Sequence, residues 1–198
     1  MNGFEKRTKE KKNQVLKATF DLMNTNEGIT GLTMEEIVKK ANVSKATIFK
    51  YFGNKENLIH EVFKHFMNEM GNTAKEIMAE NKPFEETLIA MSTNKINHLK
   101  KINKQFYLDL MKYVTEKSNS DLSSMMEQFT KENISIMLDL FHRGRKEGKV
   151  DLKYSDEFLL VYFEAIVEGI SSPRVYEKTL PYVSEWTEML IKGIAPNK

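Results

Sequence analysis

Apolar residues recur at three- and four-residue intervals along nearly the whole chain, and no stretch alternates apolar with polar in the rhythm of a half-buried strand. The pattern predicts an all-α protein. A first helix over 6–24 turns Leu16, Phe20 and Met23 inward and ends near Asn26-Glu27-Gly28. Two short helices follow between Thr33 and Phe52, and a long one opens at Asn54. Leu58, Val62, Phe63, Phe66, Met67, Met70, Ile77 and Met78 hold one stripe of that long helix to about residue 80. At 1.5 Å per residue it spans about 40 Å, more than a small domain needs, so it is expected to connect two lobes. Gly71 is a candidate bend within it.

Pro83 opens the next helix with Glu85 and Glu86 in its first turn, where the helix dipole favours acids. It runs to about Lys101, and a helix over 103–116 carries Phe106, Tyr107, Leu110, Met111 and Val114. After a loop at Ser118-Asn119-Ser120, another helix carries Leu122, Met125, Met126, Phe129, Ile134, Met137, Leu138 and Phe141 and stops near Gly148. The segment from Ser155 to Ile170 is apolar around most of its circumference, and the last helix repeats at Val183, Trp186, Leu190, Ile191 and Ile194.

The stretch from Thr33 to Leu58 carries the most specific chemistry. Thr33 and Glu36 have the spacing of a capping box, in which each side chain satisfies a free donor at the helix start. Ile37 and Ala41 give that helix one inner face, and Asn42-Val43-Ser44 breaks it. Asn tolerates the left-handed conformation that ends a helix, and Ser is a preferred cap for the next. From Ser44 on, Ile48 and Phe52 point inward, leaving Lys45, Ala46, Thr47, Phe49 and Lys50 on or near the outer face. A short basic outward helix braced by another is a helix-turn-helix, whose second helix enters the DNA major groove.

Thr33, Ile37, Ala41, Val43, Ser44, Thr47, Tyr51, Phe52, Lys55 and Leu58 together resemble the DNA-binding domain of the TetR/AcrR family of bacterial transcriptional regulators. Val38, Asn42, Ala46 and Phe49 depart from that pattern, and Phe49 lacks a hydroxyl that in the family often reaches a phosphate. The resemblance implies an N-terminal three-helix DNA-binding domain over 1–53 and a C-terminal helical domain over 54–198 for ligand binding and dimerisation, with the 54–80 helix joining them. It implies DNA contacts from Thr33, Ser44, Lys45, Ala46, Thr47, Phe49, Lys50, Tyr51 and Lys55, of which Thr33 and Lys55 match positions that hold phosphates. It further implies a homodimeric repressor on a double-stranded operator, released by a small molecule that shifts the joining helix.

Charge distribution agrees with a DNA partner. Residues 1–66 hold twelve Lys and Arg against eight Asp and Glu, whereas the remainder holds 18 against 20. The excess lies largely in Lys6, Arg7, Lys9, Lys11, Lys12 and Lys17, which beside a helix-turn-helix reads as phosphate attraction. The chain contains no cysteine, which removes disulfides and thiol chemistry and fits a reducing compartment. The N-terminus is charged and the longest apolar run, Phe158 to Phe163, is too short to span a bilayer, so a cytoplasmic protein without membrane partners is expected.

No catalytic or cofactor constellation is recognisable, and the protein is not expected to be an enzyme. His60 and His65 lie five apart, about 140° round a helix, and so do not form the zinc pair of a protease helix. Gly144 and Gly148 flank Arg145 with no preceding strand, which reads as a helix end and not a phosphate loop.

Two apolar features remain. Eight methionines between Met67 and Met137, together with several aromatics, suggest an adaptable cavity for a neutral or weakly charged apolar effector. Met67, Met91, Met111, Phe129 and Met137 are its expected walls, with Asn94 and His98 as orienting groups. The nearly all-apolar 155–170 helix needs more cover than a chain this short supplies, so a two-fold dimer is expected through Phe158, Tyr162, Phe163, Ile166, Ile170, Trp186, Leu190 and Ile194. The other reading is a helix-turn-helix regulator without a small-molecule effector, controlled by a protein partner or by its own abundance.

Overall fold

The computed structural model describes residues 3–115, 120–172 and 174–197, with the side chains of Phe4 and of 115–129 outside the description. Ten α-helices and one 3-10 turn occur among the described residues: α1 Gly3–Met23, α2 Met34–Ala41, α3 Lys45–Phe52, α4 Lys55–Ala79, α5 Phe84–Leu99, α6 Lys104–Thr115, α7 Ser120–Lys146, α8 Asp156–Ser171, α9 Tyr176–Thr179, the turn Leu180–Tyr182 and α10 Val183–Ile194. The predicted helices are all present. The short α9 and the turn after it, which contains Pro181, were not expected from the sequence. Helix α4 runs unbroken through Gly71.

Two compact units form, one from Met1–Glu69 with Ile102–Tyr113 and the other from Met70–Lys101 with Val114–Lys198. This division differs from a boundary at residue 54, and the physical reason lies in one aromatic cluster. The Phe106 ring on α6 packs edge-on against Phe20, Phe63 and Phe66 at centroid distances of 5.1, 5.3 and 5.5 Å. The start of α4 and nearly all of α6 therefore complete the N-terminal core, in which Val15, Met23, Leu58, Phe63 and Phe106 are fully buried. Asp109 on α6 reinforces this: its carboxylate accepts from the Ile29 N–H at 2.8 Å and from the Gln105 side chain at 2.9 Å. Gly28 must be glycine here, because its φ of 58° is left-handed and an added Cβ would meet the Asp109 carboxylate at 2.2 Å.

The second unit is built round Phe84, Leu88, Leu140, Phe141, Val150, Leu159, Phe163 and Ile194. Met78, Met91 and Met137 pack against this core. Arg143 on α7 fastens the turn before α5, donating to the Lys82 carbonyl at 2.8 Å and to Thr87 Oγ1 at 3.2 Å. Arg145 and His142 both pair with Asp156 in the first turn of α8. Those two contacts draw the Asp156 carboxyl below the usual carboxylate range, His142 contributing first and Arg145 next.

Candidate nucleic-acid interface and ligand cavity

The helix-turn-helix is built by local chemistry. Thr33 Oγ1 accepts from the Glu36 N–H at 3.2 Å, and Glu36 reaches back to the Thr33 N–H at 3.2 Å, so the capping box is complete. Asn42 ends α2 in the left-handed region at φ 47°, and Ser44 caps α3 by accepting from the Thr47 N–H at 3.1 Å. Ile37 and Ala41 on α2 and Ile48 and Phe52 on α3 are buried, as their spacing predicted. Gln14 on α1 donates to the Ala41 carbonyl at 2.7 Å and so ties the first helix to the end of the second.

The outer face of α3 follows from that burial. At about 100° per residue, Lys50 lies opposite the direction shared by Ile48 and Phe52, with Ala46 beside it. Ala46, Phe49 and Lys50 are exposed, and Thr47 is half-buried with its hydroxyl 2.8 Å from Ser44 Oγ. Phe49 is 44% exposed, a large apolar ring held in water on a basic helix. Tyr51 is half-buried, and the ammonium groups of Lys12 and Lys50 each stand 5.9 Å from its ring centre. Lys12 is a residue that the motif alone did not single out; the run of basic residues on α1 was its only signal.

Two of the expected contacts are engaged elsewhere in the free protein. Lys45 forms an exposed ion pair with Glu35 at 3.1 Å. Backbone hydrogen bonding at Glu35 and the bond from Lys45 together hold that carboxyl below its ordinary value. Lys55 donates from Nζ to the Leu32 carbonyl, in the turn that precedes α2. Thr33 is exposed, and its hydroxyl also bonds the Glu36 carboxylate at 2.6 Å.

The residues expected to hold an effector are divided between the two units. Met67 is buried and Met111 half-buried in the first unit, whereas Met91 and Met137 pack on the core of the second. Asn94 donates to the Met70 carbonyl at 3.3 Å, and His98 Nδ1 pairs with the Asn94 carbonyl at 3.0 Å, both within the second unit. The side chain of Phe129 lies outside the described residues.

The second unit has a different cavity, of about 120 Å³, between α5, α8, α9 and α10. Its walls are mainly Leu88, Ile96, Ile166, Ile170, Val183 and Leu190, and none of the described residues expected to hold an effector lines it. Phe163, Ile166, Ile170, Trp186 and Leu190, expected at a dimer interface, also line this cavity. Phe163 and Ile194 are also core residues of the unit, because the inner faces of α8 and α10 must cover Phe141 and Leu159. Phe158 at 50% and Val161 at 59% on α8, Met189 at 66% on α10 and Tyr182 at 59% in the turn before it remain exposed.

A capped, buried bracing helix and a basic outward helix at the N-terminus define a helix-turn-helix DNA-binding protein. Residues 15–62 match the family described as bacterial regulatory proteins, tetR family. An uncharacterized HTH-type transcriptional regulator of Haemophilus influenzae is 31% identical over 166 residues, 81% of this chain and 82% of that protein. The chain belongs to the TetR family of transcriptional regulators. The HTH-type regulator YhgD of Bacillus subtilis is 41% identical over 64 residues, 32% of this chain and 34% of that protein. Among solved structures, the transcriptional regulator FadR from Bacillus subtilis in complex with stearoyl-CoA has the same fold, with a TM-score of 0.71 at 18% identity over 92% of this chain and 98% of that one. No helix among the described residues is long and apolar enough to cross a membrane.

Proposed function

We propose that the protein is a homodimeric, cytoplasmic repressor that leaves its operator when a small, largely apolar compound occupies the second unit. The observation that carries this reading is the cavity of about 120 Å³ between α5, α8, α9 and α10, walled chiefly by Leu, Ile and Val side chains. A mostly apolar site with a few polar groups is the usual form of a small-molecule pocket. A cavity of about 150 Å³ suffices for benzene, so this one suits a ligand, or part of one, of comparable size.

Dimerisation is supported by the exposed apolar residues Phe158 and Val161 of α8 and Tyr182 and Met189 beside and on α10. Two copies of this pair of helices make a self-complementary four-helix contact. On DNA, Lys50 and Ala46 face base edges, Phe49 suits the apolar edge of a thymine, and Lys12 and Lys45 suit phosphates. By linkage, an effector releases DNA only if it binds the DNA-free conformation more tightly.

The test is a gel-shift titration of operator DNA in the presence of apolar compounds of about benzene size, with the melting temperature read in parallel. At least one compound is expected to raise the melting temperature and weaken operator binding together. If the whole panel leaves both unchanged, control by abundance or by a protein partner becomes the better reading.

A further inference from the structure

One wall of the cavity is unlike the others. Lys95 on α5 lines it, partly buried, and donates from Nζ to Ser171 Oγ at the end of α8 at 3.0 Å. Ser92, one turn before Lys95 and on the same side of α5, lines the cavity as well. The lining contains no aspartate or glutamate, and Lys95 has no carboxylate partner among the described residues. A lysine bonded only to a hydroxyl beside apolar walls keeps unfilled donor capacity, since an ammonium group carries three N–H bonds. Desolvation agrees with this, because burial pushes the Lys95 pKa below the usual lysine value.

We propose that the cavity takes a small organic monoacid, whose carboxylate sits on Lys95 with help from Ser171 and Ser92 while its hydrocarbon part lies against Ile166, Ile170 and Leu190. This inference rests on the effector reading above and makes it specific: the ligand is anionic, not neutral. Three points set the class. An unpaired ammonium group at an apolar wall is an unfavourable arrangement that an arriving anion relieves. One positive charge balances one carboxylate, whereas a phosphate carries nearly twice the charge and would want further basic donors. The volume of about 120 Å³ suits a ring or a short alkyl chain beyond the headgroup.

The experiment compares benzoate and hexanoate with benzyl alcohol and hexanol, using calorimetry and thermal shift on the full chain. Wild type, Lys95→Met and Lys95→Arg are measured side by side. Wild type is expected to bind each acid at least about ten-fold more tightly than its alcohol, a difference of about 1.4 kcal/mol. Lys95→Met is expected to lose that preference while still binding the alcohols, and Lys95→Arg to keep it. The melting temperature without ligand verifies that each variant folds. Alcohols binding as well as acids, or a preference unchanged in Lys95→Met, overturns the anionic class and leaves the effector cavity standing. Failure of all four probes to bind any variant overturns both.

Discussion

Lys45 on α3 is already paired with a carboxylate in the free protein. Its ion pair with Glu35 is exposed on both sides, and such pairs contribute about 0–1 kcal/mol. On the proposed DNA face, phosphates would compete for Lys45 at small cost, and the Glu35 carboxylate beside it would repel the duplex. Glu35→Gln frees Lys45 and removes that repulsion, so operator affinity should rise about two- to five-fold, with the gain fading as salt is raised. Fluorescence anisotropy across a salt series checks this, and an unchanged or weakened affinity would place Lys45 away from DNA. Lys50 lies opposite the buried edge of α3, so Lys50→Ala is expected to weaken operator binding while costing the core nothing.

Single residues also explain why the helix-turn-helix could be read from the sequence and the cavity could not. Thr33, Asn42 and Ser44 act through bonds to backbone three residues away or through their own φ, and each needs nothing distant to do so. Lys95 gives no such signal. Between Asn94 and Asn97 it reads as one more polar residue on an amphipathic helix, and only the fold brings Ser171 to it. The division of the methionines was hidden for a related reason: a stripe at helical spacing marks burial without saying in which core. Met67 and Met111 went to the first unit because Phe106 gathers α4 and α6 there.

Helices α5 and α7 show how closely the second unit is fitted. Gly144 lies where α7 passes the start of α5, and a Cβ there would stand 2.5 Å from Val150 Cγ2 and 2.8 Å from the Phe84 ring. Both neighbours are buried, with no room to retreat. Gly144→Ala would gain up to about 1 kcal/mol in helix propensity, but overpacking of this kind costs about 1–3 kcal/mol, so overpacking wins. A net loss of about 1–2 kcal/mol is expected in denaturant titration. A more stable Gly144→Ala protein would show that α7 and α5 do not approach as described. The same element-level fit sets what α8 and α10 turn inward. Their inner faces are taken by core and cavity, while Phe158, Val161 and Val167 on α8, Trp186 and Met189 on α10, and Tyr182 just before α10 stay exposed to a partner.

Across the whole molecule, the helical order was readable because periodicity alone separates helices, whereas the division into units was not. The Phe106 cluster assigns α6 to the N-terminal core across more than forty residues of intervening chain, a contact that no local pattern encodes. Symmetry is likewise absent from the sequence, and it is the property that decides how the protein meets DNA. In the proposed dimer, two α3 helices related by a two-fold axis dock on half-sites about one helical turn, 34–36 Å, or a multiple of it apart. The direct measurement is selection of bound duplexes from a random DNA pool by the full-length protein, followed by sequencing, with Val161→Glu and Lys50→Ala run alongside. The account predicts an inverted repeat with half-sites about one turn apart for the wild type, lost repeat symmetry for Val161→Glu, and altered base preference within each half-site for Lys50→Ala. Recovery of no preferred sequence by the wild type, or of one without two-fold symmetry, would contradict it.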